Sequence, residues 1–354
     1  MNIGLNDQDV EDIKELQPGA MAASPHALPW AAWKQIGKRI WVMAGFHNLS
    51  LLAAGTAFFA FLAITPLLAA TVMTYGLLGN VQTVQSQMNA ISSWMPADAA
   101  ALIESQLVAV VTTSAGVTGV TLAISLLLAI YGGMRAATGL IGALNIINSE
   151  HESRNIFSLT LRAAGLTLAA ILIAMTGLIS GGLVAWLETR TETFIGTAAD
   201  TGYQALTWLV AMVLGTGGFA LIMKYGPDRR AAKWRWLSPG SILATFAWVA
   251  VSFGFSLYVR YISDYNATYG SLSAIVVFLM WLFLTSYAIL LGALLNAEIE
   301  RQTLIDTTVG VDRPIGERGA VMADSAVSLA PDSGVLEKKR RRQAARVARN
   351  ASKN

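Results

Sequence analysis

Long runs of apolar residues without a single acidic residue dominate this chain and restrict the folds that it can adopt. Of its 354 residues, 54% are hydrophobic and only 13% are charged, whereas soluble domains carry roughly 25% charged residues. A bilayer core of about 30 Å requires about 20 apolar residues per helix. We therefore predict an all-α membrane protein with six spans, which are approximately Leu49–Tyr75, Gly116–Met134, Ala163–Leu187, Ala205–Met223, Pro239–Tyr258 and Leu272–Leu295.

The basic residues between these segments predict the orientation of the chain. Lysine and arginine accumulate in short cytoplasmic flanks of membrane helices. Every second connection is rich in them, and the others carry only Arg190 and Arg260. The basic flanks contain Lys34, Lys38, Arg39, Arg154, Arg162, Lys224, Arg229, Arg230, Lys233 and Arg235. This alternation predicts that both termini are cytoplasmic.

Three regions follow from this topology. Residues 1–47 form a cytoplasmic segment, residues 48–300 the transmembrane domain, and residues 301–354 a disordered basic tail. Apolar residues of the first segment recur at helical spacing opposite Lys34, Lys38 and Arg39, namely Trp30, Trp33, Ile36, Gly37, Ile40, Trp41 and Ala44. They predict a helix in the membrane interface or, as the alternative, a helix packed on the bundle. The outer loop, residues 81–115, is predicted to contain two short helices broken at Pro96.

The residue types needed for hydrolytic or metal chemistry are missing from the predicted spans. The six segments contain no Asp, Glu or His, and the chain has no cysteine. Its three histidines, His26, His47 and His151, lack metal-ligand spacing with nearby carboxylates. We therefore predict no catalytic residue, no metal site, no cofactor and no enzymatic activity.

Arg135 is the charged residue that stands out in the apolar sequence. If the second helix continues to Ile147, Arg135 is an unpaired cation within the bundle and a candidate contact for an anionic substrate or a lipid phosphate. If the span ends at Met134, the side chain reaches the cytoplasmic headgroups instead. Asn145 extends a polar stripe in the first case and lies at the surface in the second.

A second candidate contact region is polar and aromatic, near the outer ends of the last two spans. Its residues are Tyr258, Arg260, Tyr265, Asn266 and Tyr269. Tyrosines at this level are typical of the aromatic belt of membrane proteins. Arg260 and Asn266 add polar groups that a belt does not need, so contact with a headgroup or solute is the alternative interpretation.

Several landmarks, taken in order, resemble the YihY/BrkB family of bacterial membrane proteins, once called ribonuclease BN-like. The resemblance covers roughly residues 35–300. It is carried by 54–59 with 66–68, Arg135 with 143–145, 227–230 with 234–235 and 239–240, Tyr258, 269–272, Trp281, 291–293 and 296–298. It implies a six-span inner-membrane protein connected with envelope integrity or with the export of lipids or solutes.

Further residues are predicted to have structural roles. Pro66 lies inside the first span and is expected to bend it, and small residues four apart allow close helix packing. The residues assigned structural roles are Pro66, Gly177, Gly181, Pro239, Gly240, Gly270, Trp281, Gly292, Asn296 and Glu298.

The functional hypothesis is a transporter or flippase-like protein for a lipid or amphiphilic anion. The alternative is an envelope scaffold that does not transport, and a membrane ribonuclease is disfavoured because no metal-binding cluster is visible. The expected partners are membrane lipids. The basic run 338–342 is either a solvated tail that helps to fix the topology or a contact for anionic headgroups. The small residues at helix-packing spacing serve either packing within the monomer or a homo-oligomer. No nucleic-acid partner is expected.

Overall fold

The described part of the chain is helical. The computed structural model describes residues 17–78, 119–195, 197–261 and 272–325. Within these ranges the extended pairing is limited to an isolated antiparallel bridge between Ala232 and Thr308. The helices are α1 (Trp30–Phe46), α2 (Leu49–Leu78), α3 (Gly119–Ile147), α4 (Ile156–Ile195), α5 (Thr197–Tyr225), α6 (Trp234–Tyr261), α7 (Ser273–Glu300) and α8 (Val321–Asp324), with a 3-10 turn at Pro25–Ala27.

Helices α4 to α7 contain the segments that are long and apolar enough to cross a membrane. These segments are Ile156–Gly177, Ala205–Tyr225, Trp234–Val259 and Ser273–Glu300. Helix α1 and Leu49–Ala63 qualify only together, across a bend of 64°. The all-α prediction is confirmed for the described residues, which supply four such helices, or five with the bent pair. Six spans and their orientation stay predictions, and the loop 81–115 lies outside the described residues.

Hydroxyl side chains in these apolar helices bond to the backbone of their own helix. Thr138 Oγ1 donates to the carbonyl of Met134 at 2.7 Å, and Thr167 Oγ1 donates to the carbonyl of Ala163 at 2.9 Å. A hydroxyl in an apolar environment is stabilised by an acceptor, and the carbonyl one turn earlier is close to it in a helix. Threonine is therefore tolerated within the long helices.

The described residues divide into two compact units. The helical unit comprises residues 43–228 and 237–294, and the terminal unit comprises residues 17–42, 229–236 and 295–325 among those described. In the helical unit, α3 packs on α2 and α4, and α4 packs on α5. The structure does not describe the side-chain surroundings of Pro66 and Gly181, and Gly270 lies outside the described residues. A Cβ built on Gly177 would make an ordinary contact with Leu214.

Helices α6 and α7 approach most closely at two glycines. A Cβ atom added at Gly292 would meet the carbonyl oxygen of Gly240, and it would lie 2.9 Å from Cβ of Ala244. Further along the same pair of helices, Trp281 Nε1 donates to Ser252 Oγ at 3.1 Å. Pro239 lies in the second turn of α6, beside Gly240. The glycines thus allow backbone contact, and the indole connects the two helices through a hydrogen bond.

The core of the terminal unit joins segments from three distant parts of the chain. Trp236 is completely buried. It packs in an apolar cluster with Ala22, Leu28, Ala32, Ile36, Leu295 and Ile299. Its indole Nε1 has no hydrogen-bond partner among the described residues. The cluster therefore owes its cohesion to apolar burial.

Two buried carboxylates of the terminal unit are held by arginines. Glu298 accepts hydrogen bonds from Arg39 Nε at 2.7 Å and Arg301 Nη1 at 2.9 Å. Glu300 accepts from Arg229 Nη2 at 2.6 Å and from the hydroxyl of Thr307 at 3.1 Å. Burial of an isolated carboxylate is costly, and paired guanidinium groups offset that cost. Glu298 and Glu300 therefore connect helix α7 to the other segments of the unit.

Residues 301–325 are folded, which differs from the prediction of a disordered tail beginning at residue 301. Leu304 N–H donates to the carbonyl of Ala20 at 2.8 Å, and Gln302 Nε2 donates to that of Pro18 at 2.9 Å. Arg318 is buried and donates to the carbonyls of Leu304 and Ala323. The segment is held by hydrogen bonds to polar groups, a pattern that composition does not reveal. Residues 326–354, with the basic run 338–342, lie outside the described residues.

Helix α1 forms, but its apolar residues divide between two faces. Ala32 and Ile36 are buried in the terminal unit, with Trp33 and Ile40 packed against them. Trp30 is 72% exposed. A helix turns about 100° per residue, so Trp30 and Ile36 point about 120° apart. The set of apolar residues that the sequence analysis assigned to one face therefore includes residues of two faces.

We expect the Gly292→Ala variant to unfold at a lower temperature than the wild type. The new methyl group would collide with the backbone of α6, and overpacking of this kind costs about 1–3 kcal/mol. Thermal unfolding of the detergent-solubilised protein measures the change. Gly142→Ala on α3 is the matched control, because no atom lies within 4 Å of a Cβ built there. Equal unfolding temperatures for the two variants would contradict the tight α6–α7 contact.

Candidate functional site

Arg135 lies in the middle of a continuous helix. Helix α3 passes Met134 without interruption and ends at Ile147, twelve residues or about 18 Å beyond Arg135. The Arg135 side chain is exposed. Its guanidinium carbon lies 5.6 Å from the centre of the Tyr131 ring, and its Nε donates to the Tyr131 hydroxyl at 3.2 Å. Among the described residues, no carboxylate pairs with it.

The exposed side of α3 around Arg135 is otherwise apolar. Residues spaced by three or four positions lie along one line of a helix. The exposed residues on the line through Arg135 are Ile124, Leu128, Tyr131, Gly142 and Ile146. This line is named the α3 stripe. Arg135 is thus a cation on a surface whose other exposed side chains are mainly apolar.

The α3 stripe is shallow between Arg135 and Ile146. Gly139 and Gly142 occupy the intervening turns, and no atom lies within 4 Å of a Cβ built on Gly142. The space over Gly139 is partly filled, because a Cβ built there would lie 3.1 Å from the ring of Phe59 on α2. A shallow apolar surface beside a cation can accept an anionic group attached to an acyl chain.

Asn145 lies elsewhere: it is buried and belongs to a polar clasp between two connections. Its amide Nδ2 donates to Glu152 at 2.9 Å, and its Oδ1 accepts from the backbone N–H of Asp228 at 2.7 Å. Arg154 forms a double hydrogen bond with Glu152 at 2.6 Å for each pair of atoms and donates to the carbonyl of Gly226 at 3.1 Å. The Asn145 clasp, comprising Asn145, Glu152, Arg154 and Asp228, therefore joins the α3–α4 and α5–α6 connections.

Both carboxylates of the Asn145 clasp are stabilised in the charged form. Hydrogen bonds from Arg154 are the main cause that holds the pKa of Glu152 below its ordinary value, against the opposing effect of burial. Burial also acts against ionisation of Asp228. Hydrogen bonds from the side chain and backbone of Ser153, with the charge of Arg154, outweigh it and lower the pKa of Asp228. The clasp is consequently an ionised network at neutral pH.

The remaining predicted contact residues lie on another helix or outside the described residues. Tyr258 is exposed and stacks on Phe255. It lies 21 residues, or about 32 Å, beyond Leu237 near the start of α6. Helix α6 includes Arg260, but its side chain lies outside the described residues, as do Tyr265, Asn266 and Tyr269. Arg135 and Asn145 are ten residues, or about 15 Å, apart along α3, and Tyr258 lies on α6.

Sequence reasoning did not identify the partners in either cluster. Tyr131 had a usable signal, because it precedes Arg135 by four residues and such pairs meet on a helix. Glu152, Arg154 and Asp228 offered no comparable spacing, since Asp228 lies 83 positions from Asn145. Only the folded connections bring them together.

Comparison of the chain with known protein families finds one that matches most of it. The family described as virulence factor BrkB matches residues 40–310, which is well over half of the chain. The chain belongs to the BrkB family. This confirms the resemblance drawn from the sequence, and the match extends to residue 310, past the buried residues Asp306 and Thr308.

Individual relatives are bacterial proteins. The ribonuclease-like protein YfkH of Bacillus subtilis (strain 168) is 26% identical over 220 residues, which is 61% of this chain and 78% of YfkH. The UPF0761 membrane protein RC1_0578 of Rhodospirillum centenum is 27% identical over 330 residues, or 88% of this chain and 63% of the relative. The UPF0761 membrane protein Bxeno_A3061 of Paraburkholderia xenovorans is 31% identical over 161 residues, or 44% and 35%.

The chain spans less than two thirds of the length of these two UPF0761 proteins. No solved structure matches the chain. The family match establishes a multi-pass membrane protein, and it assigns no substrate and no catalytic residue.

We expect the stability difference between the wild type and Asp228→Asn to depend on pH. The folded pKa of Asp228 is depressed, so its contribution is complete above the ordinary carboxyl pKa of about 4 and is lost as the pH falls through the folded value. Unfolding temperatures from neutral to acidic pH measure the difference, which should shrink in acid. Asp312→Asn is the control, because Asp312 is an exposed partner of Lys233 and exposed pairs contribute little. A difference for Asp228→Asn that stays constant with pH would contradict this role.

Proposed function

We propose that this protein moves a lipid or another amphiphilic anion across the bacterial inner membrane. The observation that carries the proposal is Arg135, an exposed cation without a carboxylate partner among the described residues, on the apolar α3 stripe. An arginine surrounded by lipid tails is energetically unfavourable. A phosphate or carboxylate that entered from the bilayer would remove that cost.

The chemistry of the guanidinium group suits such a ligand. Arginine is always charged and presents planar donors that bind a phosphate or carboxylate through two hydrogen bonds. Contact with the Tyr131 ring holds the guanidinium over the stripe through a cation–π interaction. The open space over Gly142 leaves room for an acyl chain on the same stripe. These features support a path along the outside of α3.

The proposed topology has six spans with both termini in the cytoplasm. In it, α2 and α3 are spans in addition to the four apolar segments of α4 to α7. Support comes from the basic connections and from the Asn145 clasp, because the end of α3 and the end of α5 meet there. Both connections lie on one side of the membrane in the proposed topology.

Single cysteines test this topology directly, because the chain contains none of its own. Met21→Cys and Val311→Cys introduce thiols at exposed positions of the terminal unit. We expect a membrane-impermeant maleimide to label both in inverted membrane vesicles and neither in intact spheroplasts. Labelling in spheroplasts would overturn the proposed orientation.

We expect Arg135→Gln to abolish lipid movement while leaving a folded protein. The protein would be reconstituted in vesicles with a fluorescent phosphatidylglycerol, and movement between leaflets would be followed by quenching with dithionite. Arg135→Lys should retain part of the rate, because lysine keeps the charge but cannot form two parallel hydrogen bonds. Tyr131→Phe should change the rate less than Arg135→Gln, because the ring contact survives.

Arg235→Gln is the matched control, because Arg235 is an exposed arginine of the terminal unit. A wild-type rate in Arg135→Gln would remove Arg135 from the mechanism. A wild-type rate equal to that of protein-free vesicles, for anionic and zwitterionic lipids alike, would oppose transport and favour the scaffold alternative. The scaffold would then be tested by partner capture with and without residues 326–354.

The name of the relative YfkH does not by itself assign ribonuclease activity to this chain. Among the described residues, no group of three or more His, Cys, Asp or Glu side chains is placed to hold a metal ion. The clustered carboxylates, Glu152 and Asp228, are both engaged by Arg154. We therefore propose no enzymatic activity.

A further inference from the structure

Helix α1 presents an exposed face of tryptophan and lysine that the folded unit does not use. Trp30 and Trp41 are 72% and 85% exposed, and Lys34, Gly37 and Lys38 between them are also exposed. These five residues are named the Trp–Lys face. The opposite side of the helix is occupied by the apolar core of the terminal unit. The tryptophans are therefore exposed although the helix that carries them is folded and packed on its other side.

The Trp–Lys face contains a notch. Trp30, Lys34, Gly37 and Trp41 follow one another at i, i+4, i+7 and i+11, which places them along one line of the helix. No atom lies within 4 Å of a Cβ built on Gly37. The missing side chain leaves a gap between Lys34 and Trp41 on this line, and Lys38 is the next residue in the chain.

The charge of this face is positive and unopposed within its helix. Helix α1 contains no acidic residue. Lys34 Nζ lies 5.9 Å from the centre of the Trp30 ring, which keeps the cation beside the indole. Arg39, on the other side of α1, is paired with Glu298. The lysines of the Trp–Lys face are thus available to an external anion.

We infer that the Trp–Lys face binds the phosphate headgroup of an anionic phospholipid at the membrane surface. Exposed tryptophans are enriched at the headgroup level of bilayers, and lysines there attract anionic lipids. Helix α1 ends two residues before the apolar helix α2, so the face is close to an apolar helix along the chain. The phosphate lies in the notch over Gly37, with Lys34 and Lys38 as counter-ions and the indoles beside the glycerol region.

This inference is independent of the proposed transport activity. The Trp–Lys face belongs to the terminal unit, and Arg135 belongs to the helical unit. The face would anchor and align α1 whether or not Arg135 moves a lipid. Lipid binding is therefore to be measured on protein that already carries Arg135→Gln, in parallel with the wild type.

Binding would be measured by titrating phosphatidylglycerol into the detergent-solubilised full chain and counting bound lipids by native mass spectrometry. Lys34→Gln with Lys38→Gln should weaken the tightest phosphatidylglycerol binding by roughly tenfold, since each lysine near an anionic surface contributes appreciably to attraction. Lys34→Arg with Lys38→Arg should retain it. Arg235→Gln, which removes an exposed charge elsewhere in the unit, should leave it unchanged.

A second variant separates the notch from simple charge. Gly37→Leu fills the gap and keeps both lysines, so it should also weaken phosphatidylglycerol binding. Equal affinity in the double glutamine variant and the wild type would overturn the inference. Equal losses in that variant and in Arg235→Gln would also overturn it, because attraction would then depend on net charge alone. A loss seen only with Arg135→Gln would assign the lipid to the α3 stripe.

Discussion

The apolar solvent around the long helices governs what their polar groups can do. Hydroxyl groups such as those of Thr138 and Thr167 bond to carbonyls of their own helix, and Trp281 and Ser252 satisfy each other between helices. Where water is excluded, an unpaired polar group is expensive. Arg135 is the described residue for which this rule has the largest consequence. It contacts Tyr131 and has no carboxylate partner among the described residues, and this links the packing rule to the proposed function.

The terminal unit satisfies its charges in a different way. Glu298 and Glu300 are almost completely buried, and arginines from three segments surround them. A buried ion network of this type adds little net stability compared with apolar packing, but loss of one partner leaves an uncompensated charge. The network therefore acts mainly on specificity, because only one alignment of the three segments pairs all these groups. The apolar cluster around Trp236 supplies the attraction, and the ion pairs select the register.

Hydrophobic runs predicted the long helices because a 20-residue apolar segment has few alternatives to a helix in lipid. Other features depended on contacts that a local pattern does not contain. The stripe of α1 was assigned to a single face, but half of it packs on Trp236, which is far away in sequence. Residues 301–325 were predicted to be disordered from their polarity, although their polar groups bond to residues 17–22. Arg135 was recognised because charge in an apolar run is a local signal, whereas the partners of Asn145 are joined only by folding.

The discontinuous construction of the terminal unit has a consequence for biosynthesis. Its earliest and latest contacts are up to 285 positions apart, as between Gln17 and Gln302. Helix α1 emerges from the ribosome long before Ile299, Glu298 and Leu304 exist. Until the final segment is translated, the apolar side of α1 lacks its partners, and Arg39 and Arg229 lack their carboxylates. The unit can therefore fold only after its last segment has been translated. A product truncated before residue 298 would leave this surface exposed to the quality-control machinery.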